Sequence, residues 1–222
     1  LIFLLVVCFG ILVQLKNAIP RPEKSETVTP KRTFLKEIAP APGRKVDPLP
    51  FREDDSILET ITDDKYLHTK AFFYLVHKAL VSQEQEMEKK LDPSFGWAGL
   101  VKQAERNKIR GKIMKIRGGI ADLSKYELDG EEAKERGMQG VEYWQGLIYT
   151  AQGNPYLFLV TQYPQDISPD DDVEMLGAFF KVWIYENRLG QQTYAPFFIG
   201  KRLKRLPPPA PAEPLPLIWI FS

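Results

Sequence analysis

The chain has 222 residues, 44% of them apolar, and a formal net charge of +1. That length suits one domain of ordinary size with tails, or two very small ones, and the near-neutral charge excludes polyanion recognition by bulk electrostatics alone. A single cysteine, Cys8, excludes an intramolecular disulfide.

The run Leu1–Val13 is apolar, and no charge appears before Lys16. A spanning helix needs about 20 apolar residues. The run opens without methionine and is shorter than this, so it is expected to be the surviving end of a transmembrane segment over residues 1–16. One alternative is a signal-peptide core, which Lys16 ahead of a cut after Ala18 fits poorly. A buried helix is the other. Residues 17–55 carry Pro20, Pro22, Pro30, Pro40, Pro42, Pro48 and Pro50 among charges. Proline fixes φ and removes a donor, so this stretch reads as an extended tether.

Residues 56–107 read as a helical lead-in. Tyr66, Phe73, Val76 and Leu80, with Phe72 and Ala79, recur at three- and four-residue spacing. The spacing predicts a helix from Asp63 to about Gln85, capped by Thr62 or Asp63. A second, short helix is expected over Trp97 to Arg106, opened by Pro93 and Ser94.

Residues 108–201 read as a β-domain. After Arg110-Gly111 the period becomes two, with Met114, Ile116 and Ile120 on one side and Lys115 and Arg117 on the other. Gly118-Gly119 predicts a bulge or strong bend. Residues 124–140 are charged and read as a loop. Val141, Tyr143, Leu147 and Tyr149 alternate with Glu142, Trp144 and Ile148 in a second strand, and Gln152-Gly153-Asn154-Pro155 turns the chain. Tyr156–Thr161, apolar on both faces, is a third strand that must be central or covered. An acidic loop over Pro164–Asp172, a long fourth strand over Val173–Tyr185, a turn at Asn187–Gly190 and a fifth strand over Gln192–Ile199 follow.

The fold class is therefore mainly β with a helical lead-in, an α+β domain. Five mostly antiparallel strands bent at glycines suit an OB-like barrel, and closure would remove sheet edges. A curled antiparallel sheet packed on the Asp63 helix is the competing architecture. Residues 202–222 form a basic, proline-rich linker ending in Leu217-Ile218-Trp219-Ile220-Phe221, either the front of a second membrane segment or an apolar tail. Lysines and arginines flank both apolar ends on the inner side, with Lys201–Arg205 expected to anchor at anionic lipid. A loop this long leaves the side of the membrane open.

Arg110-Gly111-Lys112 leading into Arg117-Gly118, Asn154-Pro155-Tyr156, Gly177-Ala178-Phe179-Phe180-Lys181 followed by Tyr185, and Ala195-Pro196-Phe197-Phe198 occur in that order. Together with the Tyr74-Leu75-Val76 helix they resemble a family of bacterial membrane-associated proteins with OB-like domains, over roughly the last two-thirds of the chain. The resemblance implies a fold and a membrane context, with no catalytic residues to carry over. The charged stretch 124–140 departs from that family's pattern, so the resemblance implies no ligand there.

No catalytic residue, cofactor or metal ligand is assigned. His68 and His77 lie nine positions apart, which on one helix is about 900° of rotation and places them on opposite faces. With one cysteine, a zinc site of the usual kind has too few ligands. Asp170-Asp171-Asp172 lacks EF-hand spacing and reads as a solvated loop. Ser124 and Ser168 sit in no nucleophile motif, and no phosphate- or dinucleotide-binding glycine pattern occurs.

The basic run Lys102, Arg106, Lys108, Arg110, Lys112, Lys115 and Arg117 is the candidate for ligand binding. OB-folds hold single strands by combining positive charge with stacked aromatics. The predicted site is Lys112, Lys115 and Arg117 with Trp144, Trp183 and Tyr185; Tyr149 is a further aromatic. The competing explanation is a solvated face balancing Glu131, Glu132 and Glu135, with the aromatics filling a small barrel. Three functions stay open: a membrane-tethered, non-enzymatic module for a protein partner; a membrane-proximal binder of single-stranded nucleic acid or another polyanion; and an enzyme of unrecognised type. The first is the leading expectation.

Overall fold

The computed structural model describes residues 54–93, 95–102, 106–186 and 190–207. The expected membrane segment, most of the tether, the turn residues 187–189 and the C-terminal apolar end lie outside them. Among the described residues no helix is long and apolar enough to cross a membrane.

Five strands form the domain: β1 (Ile113–Glu127), β2 (Glu142–Tyr149), β3 (Pro155–Val160), β4 (Asp172–Glu186) and β5 (Gln192–Arg205). They close in the order β1-β2-β3-β5-β4, with β4 returning to β1. This is the five-stranded Greek-key barrel of OB type rather than the open curled sheet. The ladder is mixed: β3 and β5 run parallel over Leu157–Val160 and Phe197–Gly200, against the mostly antiparallel expectation only here.

Side-chain alternation separates two cores. Met114, Ile116, Ile148, Phe158, Phe179 and Phe198 face into the barrel, where Leu100 of the lead-in and Ile109 just before β1 join them. Leu159, Phe180, Phe197 and Ile199 face outward and are covered by Phe72, Leu75 and Val76 of helix α1 (Thr69–Val81). The doubly apolar third strand is explained by this: Phe158 fills the barrel and Leu159 lies under α1. Full burial of one such side chain contributes about 1.5–3 kcal/mol.

Several local expectations are corrected. The helix begins at Thr69, not Asp63, and stops at Val81, where Ser82 turns extended; a separate helix α2 covers Glu84–Lys89. Asp63 and Asp64 do not cap a helix because their carboxylates are held by the barrel. Asp63 accepts from the Val182 N–H at 2.7 Å and pairs with Arg106 at 2.6 Å and Arg110 at 3.1 Å. Asp64 pairs with Lys181 at 2.5 Å, and the Lys181 ammonium also donates to the Tyr66 carbonyl. The Ile184 N–H donates to the Asp64 carbonyl at 3.4 Å. Strand β4 runs past its last β1 partner, Ala178, so this strap caps a sheet edge that would otherwise be bare.

Short helix α3 covers Trp97–Lys102, and Arg106–Ile109 is a 3₁₀ turn rather than part of it. The stretch 124–140 is not all loop: β1 runs to Glu127, and α4 covers Glu131–Glu135. Ala133 and Met138, buried at 0% exposure, tie this excursion to the outer core. The bulge in β1 falls between Ile120 and Asp122, not at Gly118-Gly119, whose residues stay in register with β4. Basic residues Lys201–Arg205 belong to β5, and their alternation has a structural cause. Leu203 is buried, the Lys201 ammonium donates to the Ser82 carbonyl, and Arg202 and Arg205 pair with Glu84 and Asp171.

Burial alone would raise the pKa of Asp64, but bonds from Lys181, the Thr62 hydroxyl and the Tyr66 N–H overcome this and hold it well below the usual carboxylate range. A depressed folded pKa means stability that is complete above the unfolded carboxylate pKa of about 4 and is lost as pH falls through the folded value. Acid titration followed by circular dichroism is therefore expected to show the Asp64→Asn variant losing less stability than the parent below about pH 4. Equal acid slopes for the two proteins would remove this role.

Candidate binding groove

The exterior faces of β1, β2, β3, β4 and β5 meet beside the start of α1 in a groove of about 400 Å³. Its floor is Leu147 of β2, Leu157 of β3 and Phe197 of β5, aligned by register as Leu147↔Leu157 and Leu157↔Phe197. Asp122 of β1 lies opposite Leu147 and so ends the same row.

Aromatic rings form the walls. Tyr126 and Tyr143, cross-strand partners on β1 and β2, stack with centroids 5.4 Å apart and planes 20° from parallel. Phe72 of α1 meets Tyr143 edge-on at 6.5 Å. On the opposite side stand Trp183 and Tyr185 of β4, two residues apart and therefore on one face. Trp183 packs edge-on against Phe197, and the Lys181 ammonium lies 5.3 Å from its ring centroid. Burial, with Tyr126 and Tyr149 as the respective neighbours, pushes the Tyr143 and Tyr185 hydroxyls up, so both stay neutral at physiological pH. Leu67 and Tyr126 on the rim expose 44% and 47% of their surface, large for apolar side chains.

Of the six residues predicted as a site, the structure brings two together, Trp183 and Tyr185. Trp144 points into the barrel, 5% exposed, with Tyr163 edge-on at 5.5 Å. Lys112, Lys115 and Arg117 lie toward the other end of β4. Lys115 is opposite Leu176, seven positions from Trp183, or roughly 20 Å along the strand. Each has a carboxylate: Lys112 pairs with Asp92 at 2.9 Å, and Lys115 and Arg117 share Glu174 at 3.5 and 2.5 Å. Burial raises the Glu174 pKa, but Arg117 and Lys115 outweigh this and keep it below the ordinary carboxylate range. Arg106 and Arg110 are taken up by Asp63, so most of the basic run balances acids of this same chain.

Sequence reasoning missed Phe72, Asp122, Tyr126, Tyr143, Leu147, Leu157 and Phe197. The signal available was parity: on β2, Tyr143, Leu147 and Tyr149 share a face that does not carry Trp144. Reading that face as the exposed one requires knowing that α1 covers only part of it.

A larger cavity, about 640 Å³, lies across the β1 bulge between Leu123 and the β3–β4 loop at Tyr163–Pro169. Asp166 and Asp170 of this loop take left-handed φ values of 56° and 69°. Its arginine, Arg205, is bonded to Asp171 at 2.8 Å. The aromatic groove is the better candidate, because it occupies the β2–β3 face with the flanking strand ends that OB barrels present to ligands, whereas the larger cavity lies between the β1 bulge, the β3–β4 loop and Arg205 at the end of β5, and shares only Asp122 with the groove. Among the described residues no group of three metal-ligating side chains converges.

No protein-family model matches the sequence, and no curated protein does. Two crystal structures of the mitochondrial single-stranded DNA binding protein Rim1 from S. cerevisiae are similar to part of this chain, each at 15% identity over 42% of this chain and 93% of that one. The TM-scores are 0.28 and 0.29. A likeness of that size says nothing of function, and the barrel type rests on the strand order itself.

Proposed function

We propose that the domain is a non-enzymatic binding module that takes a protein partner through the Tyr126–Trp183–Tyr185 groove, and that residues 1–16 hold it at a membrane. The observation that carries the reading is the groove itself. It is an aromatic-walled, apolar-floored depression on the ligand face of an OB barrel, rimmed by exposed Leu67 and Tyr126. Aromatic residues in a depression of this kind are the usual anchors of protein recognition.

Single-stranded nucleic acid is the second reading. The planar rings favour it, since bases stack on such platforms. Phosphates also need cations, and among the described lining residues the groove supplies one carboxylate and no lysine, arginine or histidine.

A photo-cross-linking residue at position 185 tests both in cells. The expected result is a protease-sensitive adduct that Leu157→Asp removes, with no such adduct from position 115. A nuclease-sensitive adduct at position 185 supports the second reading; equal labelling from both positions removes the groove from either.

A further inference from the structure

The groove's charge is as informative as its rings. Its walls hold π-faces, its floor is apolar, and the one formal charge among its described lining residues is Asp122. A guanidinium stacks on aromatic rings and pairs with a carboxylate through a planar fork, while its three methylenes lie along apolar surface. The protein already places a cation against this wall: Lys181, itself fully buried, sits beside Trp183 with Asp64 as counterion. Among the described residues no lysine or arginine pairs with Asp122. Its Oδ1 accepts only from the neighbouring Leu123 N–H, at 3.0 Å, among the bonds described.

Resting on the protein-partner reading above, we infer that the groove receives an arginine side chain of an extended partner segment. The stem lies on Leu147 and Leu157, and the guanidinium reaches Asp122 between the Tyr126 and Trp183 walls. Leu147 and Asp122 are register partners, so the apolar floor leads directly to the carboxylate. A phosphate-bearing strand would meet Asp122 as a like charge.

The test uses the 222-residue chain, isotope-labelled, and two short uncharged-framework peptides that differ only in arginine against citrulline, its neutral isostere. Chemical shifts of the Asp122, Leu147 and Leu157 amides and the Trp183 indole are followed, with an oligothymidylate as a third probe. The expected result is saturable movement of these signals with the arginine peptide, about tenfold weaker with citrulline. In Asp122→Asn the two peptides become equal while signals from the barrel interior stay in place. Equal binding of the two peptides to the parent protein overturns the arginine assignment and leaves the groove as a protein site. Movement with oligothymidylate alone, or with none of the three, overturns the partner reading together with it.

Discussion

Asp63→Ala is expected to destabilise the domain by about 3–5 kcal/mol. The Asp63 side chain is 11% exposed and faces Arg110, which is 3% exposed. Burial pulls the Arg110 pKa down, with Asp63 the main opposing influence. Removing the carboxylate leaves a buried guanidinium without its paired counter-charge, takes the carboxylate partner from Arg106, and orphans the Val182 N–H on the edge of β4. Breaking one side of a buried pair costs far more than the pair contributes against apolar replacements. Asp63→Asn keeps an acceptor for Val182 and should lose less. Thermal unfolding decides it: at about 2–4 °C per kcal/mol for a chain of this size, Asp63→Ala should melt roughly 10 °C lower. A shift under about 2 °C would mean the strap is not held by this network.

Gly146→Ala is the second. At Gly146 a Cβ would sit 1.9 Å from the Asp122 carbonyl oxygen and 3.0 Å from the Phe158 ring. The near neighbour is backbone, delivered there by the bulge between Ile120 and Asp122, so no rotamer change relieves it. Either the bulge moves or β1 and β2 separate, and a cost of about 3 kcal/mol or more is expected. Because Asp122 and Gly146 both line the groove, arginine-peptide binding should weaken as well. The contrasting variant is Gly99→Ala in α3, where the nearest side-chain atom is 3.7 Å away and alanine favours the helix. If both substitutions shift the melting temperature alike, the strands do not approach as closely as described.

The sequence announced the barrel because its strands obey local rules. Period-two alternation in Met114–Ile120, turn residues at Gln152–Pro155 and the doubly apolar Tyr156–Val160 each predict what they become. What stayed hidden depends on residues far apart in the chain. Asp63 looks like a helix cap until Arg110 and Val182 claim it. Lys115 and Arg117 look like a free basic surface until Glu174, on β4, is placed beside them. Lys201–Arg205 looks like a membrane-flanking cluster until Leu203 is seen to be core. The groove was half legible: Trp183 and Tyr185 stand out as aromatics at even spacing, whereas Asp122 enters only because the bulge after Ile120 resets which face of β1 points outward.

The parallel β3–β5 ladder governs the order of events during synthesis. Antiparallel neighbours β1 and β2 are joined within a few turns of chain, but β3 cannot find its second partner until β5 has been made, beyond the whole of β4. The Asp64–Lys181 contact likewise joins residues 117 positions apart. Loop-closure entropy is therefore owed before either reward arrives. On the ribosome, the strap emerges early and carries its carboxylates unmatched until Lys181 and Val182 follow. Commitment to the native state thus falls to the last strand, and a nascent chain ending before Gln192 is an unclosed sheet with a bare hydrophobic seam.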